Sequence, residues 1–167
     1  VPRLDGDVIV VTGANSGLGL AATRVFAARG ATVVMACRST DRGETAAAEV
    51  RETTDDGELD VRACDLAELE TVAAFADGVR ADYDGVDVLC NNAGVMAIPR
   101  SETADGFETQ LGVNHMGHFA LTGHLLPALV AAGTRSAPAR VVTQSSGAHE
   151  MGEMDFTDLH WEESYSQ

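Results

Sequence analysis

Thr12-Gly13-Ala14-Asn15-Ser16-Gly17-Leu18-Gly19 is the stretch on which the fold turns. It follows directly on the apolar run Val8–Val11, which reads as a strand. It opens a helical pattern in which Leu18, Ala21, Ala22, Val25 and Phe26 fall at i, i+3, i+4, i+7 and i+8, the spacing of one buried helix face. Glycines let the chain turn sharply after the strand and let a pyrophosphate approach the backbone. The helix behind the turn aims its free N–H groups and its dipole at that anion. Asn15 and Ser16 add side-chain donors. A glycine cluster alone is weak evidence, but the strand–turn–helix setting makes Gly13, Asn15, Ser16, Gly17, Leu18 and Gly19 candidate dinucleotide-binding residues.

Working outward, the same alternation repeats. Thr32–Ala36, Asp60–Ala63, Val86–Leu89 and Arg140–Thr143 read as further strands, short, Val-rich and bounded by Gly, Asp and Asn. Their apolarity is continuous rather than alternating, which predicts burial on both faces, as in a parallel sheet. Helices fill the gaps. Gly30 stops the first. Asp65 and Glu68 form the pattern of a capping box ahead of Leu69, Val72, Ala73 and Ala76. A longer helix is expected from about Phe107 to Ala131, with Pro127 bending or tightening its last turns. Thr53–Glu58 and Thr134–Ala139 read as surface loops. The pattern is that of a Rossmann-type, doubly wound α/β sheet, order 3-2-1-4-5, in one domain over residues 1–167.

Composition narrows the partners. The 167 residues carry 11 basic and 26 acidic side chains, a net charge of −15, and every basic residue is Arg. Such a surface repels nucleic acid and anionic membranes. No run reaches membrane-spanning length and no signal-peptide pattern opens the chain, so a cytoplasmic protein is expected. The acidic excess fits a halophile, in which concentrated salt screens self-repulsion; an acidic protein from a high-GC bacterium fits as well. Cys37, Cys64 and Cys90 lack C-x-x-C spacing and read as small buried hydrophobes at strand ends. No metal site is expected. His115, His118 and His124 share one helix at offsets that do not gather them and read as packing or surface residues, while His149 and His160 flank the substrate side.

Three more features carry chemistry. Arg38 stands 19 residues after Gly19 (38 − 19), where a dinucleotide fold reads the adenosine ribose. An acid there would bond a 2′-hydroxyl; Arg offers a planar fork to a 2′-phosphate, so NADP(H) is the expected cofactor and NAD(H) the second choice. Arg42 lies close enough to help. Asp65-Leu66 follow the third strand, where Asp65 is placed to bond the adenine amino group, to cap a helix, or both. Asn91-Asn92-Ala93-Gly94 close the fourth strand with small residues against which a dinucleotide lies flat, so Asn92, Ala93 and Gly94 join the candidate cofactor set.

Together these motifs resemble the short-chain dehydrogenase/reductase family. TGANSGLG matches its glycine motif and NNAG its fourth-strand motif. Val113-Asn114-His115 matches the helix with its catalytic Asn, and RVVTQSSGAH, from Arg140 to His149, the strand with its catalytic Ser. CRSTDRG, TADGFETQLGVNHMGHFALT and SSGAHEMGEMDFTDL are most similar to the retinol dehydrogenase and WW-domain oxidoreductase branch, which favours NADP(H). The resemblance implies an enzyme that moves a hydride between nicotinamide and a hydroxyl or carbonyl carbon of a small or lipophilic alcohol, aldehyde or ketone. It implies Ser146 as the serine that bonds the reacting oxygen and Asn114 as the asparagine of the proton relay. A homo-oligomer is an expected assembly.

One departure stands out. The family's Y-x-x-x-K is not in the chain, which has no Lys at all. Tyr83 lies far upstream, and Tyr165 reads as a structural tyrosine ahead of the catalytic one, which the resemblance places beyond Gln167. Two rivals follow. A nucleotide-binding, catalytically inactive module would need a blunted sheet edge, whereas Val141 and Val142 expect a neighbouring strand. A reductase of an activated C=C bond uses the same scaffold, and fold does not separate it from a carbonyl reductase.

Overall fold

A computed structural model describes residues 2–133, 138–150, 152–163 and 165. Residues 134–137 of the expected loop Thr134–Ala139 lie outside them. Five parallel strands, β1 (Val8–Thr12), β2 (Thr32–Cys37), β3 (Glu58–Ala63), β4 (Val88–Asn91) and β5 (Arg140–Thr143), form one sheet in the order β3-β2-β1-β4-β5. The helices are α1 (Gly17–Ala27), α2 (Thr40–Arg51), α3 (Leu69–Asp82), the single turn α4 (Thr109–Leu111), a π-helical stretch Gly112–Met116, and α5 (Gly117–Gly133). The sequence-based fold class and strand order agree with this sheet, and among the described residues no helix is long and apolar enough to cross a membrane.

The continuous apolarity of the strands has its cause in two cores. Val10, Val34 and Leu89 meet α3 and α5 through Val72, Phe75, Val79, Leu121, Leu125 and Leu129. Ile9, Val11, Val33 and Met35 point the other way, toward Ala46 and Ala47 of α2. Alternate residues of one strand thus serve opposite layers.

Four details differ from the sequence-based expectation. In α1 the buried residues are Gly19, Thr23 and Ala27, while Leu18 and Val25 are 70% and 45% exposed. The helix rides so close to the strand ends that the face toward them takes the smallest side chains; Leu20 and Phe26 pack half-buried on the core from its flanks, and Leu18 and Val25 turn outward. The expected capping box does not form: Asp65 Oδ1 accepts from Ala67 N–H, and the first N–H of α3, on Leu69, donates to Asp105 from a distant loop at 2.9 Å. β4 starts at Val88 rather than Val86, because Val86 N–H already bonds Ala128 of α5. The long helix begins at Thr109 and runs through Pro127 to Gly133, with the π-helical stretch at Asn114.

Candidate functional site

The carboxyl ends of the parallel strands open on a cavity of about 740 Å³, the place where doubly wound sheets bind ligands. Gly13, Asn15, Ser16 and Leu18 line it from the β1–α1 turn, Arg38 from the end of β2, Arg42 from the first turn of α2, Asp65 and Leu66 from the end of β3, and Asn92, Ala93 and Gly94 from the end of β4. Ser39, Cys64, Val95, Ile98, Thr109 and Gln144 also line it. The sequence motifs held no signal for Val95 or Ile98, which come from a long connection with no periodic pattern.

The β1–α1 turn needs its glycines for distinct reasons. Gly13 and Gly17 have φ of +64° and +52°, where a side chain is strained. Gly19 is helical, but a Cβ there would stand 2.3 Å from the Gly13 carbonyl oxygen and 2.6 Å from Asn92 Nδ2. Gly17 and Gly19 do not line the cavity; Gly17 takes the positive φ of the turn, and Gly19 lets α1 close on Gly13 and Asn92 behind the wall. Asn92 fills the space that Gly19 leaves, donating its Nδ2–H to the Thr12 carbonyl at 2.9 Å. Backbone N–H groups of Asn92 and Ala93 both donate to Thr12 Oγ1 at 2.9 Å. Thr12 is thus the residue that joins the glycine turn to the Asn91–Gly94 loop. Its place at the strand end was visible in the sequence, but its pairing across 80 residues was not.

At the far end, Arg38 is exposed, and among the described residues neither Arg38 nor Arg42 enters an ion pair. Two unpaired guanidinium groups beside a cavity on a chain of charge −15 are a ready anion site. Beneath the turn, burial pushes the Cys37 thiol up to about 11, opposed in part by the nearby backbone N–H groups of Asn15 and Ala14. Cys64 is pushed up to about 12, first by burial and then by Asp65. Both thiols stay protonated and inert at neutral pH.

Asn114 and Ser146 do not line this cavity. Asn114 reaches it through Val95: its Oδ1 accepts from Val95 N–H and its Nδ2 donates to Val95 O, both at 2.8 Å. Its carboxamide is largely spent on holding that loop. Ser146 is exposed just beyond β5, and its Oγ accepts from Ala148 N–H at 3.1 Å, which leaves its own proton free to donate. Among the neighbouring histidines, His115 stacks on Phe119, and His149 Nδ1 lies 2.5 Å from Ser146 O. Of the packing and surface roles expected for the helical histidines, His118 has the buried one, and it is bonded to Thr12.

Neither tyrosine is free for chemistry. Tyr83 OH donates to Asp60 at 2.8 Å behind β3, and burial pushes its phenol up to about 12. Tyr165 OH donates to Ile98 O at 2.9 Å and accepts from Gln110 Nε2 at 2.6 Å. With His160, which stacks on Phe107 and accepts from Glu108 N–H, it straps the last segment onto the loop before α4.

Over residues 7–157 the sequence matches the short chain dehydrogenase family. It is 50% identical over 165 residues to retinol dehydrogenase 12 of Homo sapiens, covering 99% of this chain and 51% of that protein. To retinol dehydrogenase 11 of Homo sapiens it is 46% identical over 164 residues, covering 98% of this chain and 50% of that one. A crystal structure of an uncharacterised protein from Mycobacterium paratuberculosis superimposes with a TM-score of 0.83 at 47% identity, over 99% of this chain and 56% of that one. A short chain dehydrogenase from Shigella flexneri complexed with NADP gives a TM-score of 0.75 at 28% identity, over 90% of this chain and 63% of that one. The chain spans about half the length of the curated relatives it matches.

Proposed function

The chain belongs to the short chain dehydrogenase family, and from that premise we propose that it holds NADP(H) for an oxidoreductase acting on a hydroxyl or carbonyl of a small or lipophilic alcohol, aldehyde or ketone. The observation that carries the cofactor choice is the pair Arg38 and Arg42, unpaired among the described residues at one end of the cavity, opposite the glycine turn. A dinucleotide fits the residues present. The positive-φ glycines and the free N–H groups opening α1 suit a pyrophosphate, Arg38 and Arg42 suit a 2′-phosphate, Asp65 the adenine, and the Asn92–Gly94 loop the nicotinamide half. When bound, the nicotinamide supplies or takes up the hydride.

The chain's own residues position and exclude. Leu66 and Ile98 give apolar walls, and the Asn114–Val95 clamp fixes the loop beside Gly94. Ser146 Oγ, with its proton free, is the donor to a substrate oxygen. The family's Y-x-x-x-K pair is not among these residues, since the chain has no Lys and both tyrosines are bonded into the scaffold. That observation favours a second reading for these 167 residues taken alone, a nucleotide-binding module without turnover.

Calorimetric titration with NADP(H) and NAD(H) tests the cofactor choice. NADP(H) should bind tighter by roughly ten- to a hundredfold, the equivalent of a charge-assisted contact of about 1.5–3 kcal/mol. Arg38→Asp should erase or reverse the preference. Equal affinities in the wild type would refute the role given to Arg38.

A further inference from the structure

We infer that His118 is a positioning residue that locks the Asn92–Ala93 loop and the Asn114 turn into one unit, acting through Thr12 as a neutral imidazole with its proton on Nδ1. His118 and Thr12 are 5% and 1% exposed, so their polar atoms must find partners inside the protein. His118 Nδ1 lies 3.0 Å from the Asn114 carbonyl oxygen and Nε2 lies 2.9 Å from Thr12 Oγ1. A carbonyl only accepts, so Nδ1 carries a proton. Thr12 Oγ1 already accepts two N–H bonds, from Asn92 and Ala93, which uses both its lone pairs. Its one proton must therefore go outward. His118 Nε2 is nearer than the alternative, the Cys90 carbonyl at 3.3 Å.

Only one protonation pattern satisfies every atom. Nδ1–H donates to Asn114 O, bare Nε2 accepts from Thr12 O–H, and Thr12 accepts from the two loop amides. The other neutral tautomer leaves a bare Nδ1 facing a carbonyl. A charged ring aims a second N–H at an oxygen with no lone pair to spare, and burial also disfavours that charge. The chain of bonds starts at the main chain of the candidate relay residue Asn114. It ends on the amides of the loop that floors the cavity. Gly117, one residue before, lets the helix come this close: a Cβ there would stand 2.5 Å from the Leu66 carbonyl.

The consequence for the cofactor rests on the function proposed above; the bonding pattern does not. Long-range ¹⁵N–¹H spectra of the wild-type chain at pH 7 should show His118 protonated on Nδ1 and bare on Nε2, the reverse of the form that free histidine favours. Amide hydrogen exchange should be faster at Asn92 and Ala93 in His118→Leu by about tenfold, the loss expected of one buried hydrogen bond. His118→Gln, whose carboxamide oxygen can still accept from Thr12, should recover part of the protection. His124→Leu, an exposed change on the same helix, should leave it unchanged. NADP(H) affinity should fall by a similar factor in His118→Leu. An Nε2–H or charged His118, or unaltered exchange in His118→Leu, overturns the inference. If His118→Leu does not fold, the wild-type tautomer decides alone. If the wild type does not bind NADP(H), the cofactor reading fails while tautomer and exchange still judge His118.

Discussion

In β1 and β2, all residues but the first are buried, whereas all four residues of β5 are exposed. The same contrast divides the candidate site. On the β1–β2 side, the glycine turn, Thr12 and Asn92 are interlocked by short hydrogen bonds, and a single added methyl at Gly19 meets backbone. On the β5 side, Val141 and Val142 are 45% and 52% exposed, and among the described residues Ser146 bonds within its own turn. The cofactor wall is therefore set by packing inside this chain. The substrate side has its serine but no layer over it among the described residues. The first region should resist substitution up to a sharp failure; single substitutions in the second should hardly register.

Turnover gives the largest separation. The 167 residues should bind NADP(H) and yet reduce no aldehyde at an enzymatic rate, because a missing general acid costs about 10²–10⁴-fold and missing substrate positioning adds to that. Spectrophotometric assay of NADPH oxidation checks it. Rapid turnover by a chain of this mass would make Tyr165 the acid, despite its bonds to Ile98 and Gln110.

Within the well-packed region, two glycines on the same turn should behave differently. Gly19→Ala forces backbone apart and should cost about 3 kcal/mol in urea unfolding, the upper end for an overpacked site. It should also abolish cofactor binding. Gly17→Ala meets nothing within 4 Å and bears only the strain of its φ of +52°, about 1 kcal/mol. Equal losses would show that the close approach at Gly19 is not what the turn depends on.

The same contrast explains what the sequence revealed. Strand order and most of the candidate residues that line the cavity were legible because each lies in a local pattern: an apolar run, a glycine cluster, an Arg at a set offset. What was not legible depends on partners far along the chain. Leu18 and Val25 fit a helical stripe, yet they face out while Phe26 of the same stripe packs half-buried, because the tightness of the β1–α1 turn decides which side meets the sheet. Asp65 and Glu68 have the spacing of a capping box, but Asp105 supplies the cap. His118 looked like one of three helical histidines, and its role exists only because Thr12, 106 residues away, lies beneath it.

Salt should act on both regions, and more on the second. From Val141 onward there is no Arg, while Glu150, Glu153, Asp155, Asp158, Glu162 and Glu163 follow one another. The Debye length falls from about 10 Å at 0.1 M to about 3 Å at 1 M, so molar KCl should relieve the repulsion among these carboxylates. Melting temperature should rise by roughly 2–4 °C, which for a chain of this size is about 1 kcal/mol. A flat or falling curve would remove the halophile reading and leave the enzyme family untouched.

Ser146→Ala should have the smallest effect on what this chain does alone, and is for that reason the sharpest test of the division. Ser146 is exposed, its Oγ accepts one N–H bond from Ala148, and it does not line the cavity. Removing an exposed hydroxyl of this kind changes stability by within about 0.5 kcal/mol. NADP(H) affinity should stay the same, because the dinucleotide wall is built from Thr12, Asn92 and the glycine turn without it. Paired titrations and urea curves on wild type and Ser146→Ala read both quantities. A weakened cofactor would mean that the loop after β5 is part of the nucleotide wall, and the line between the two regions would have to be drawn beyond Ser146.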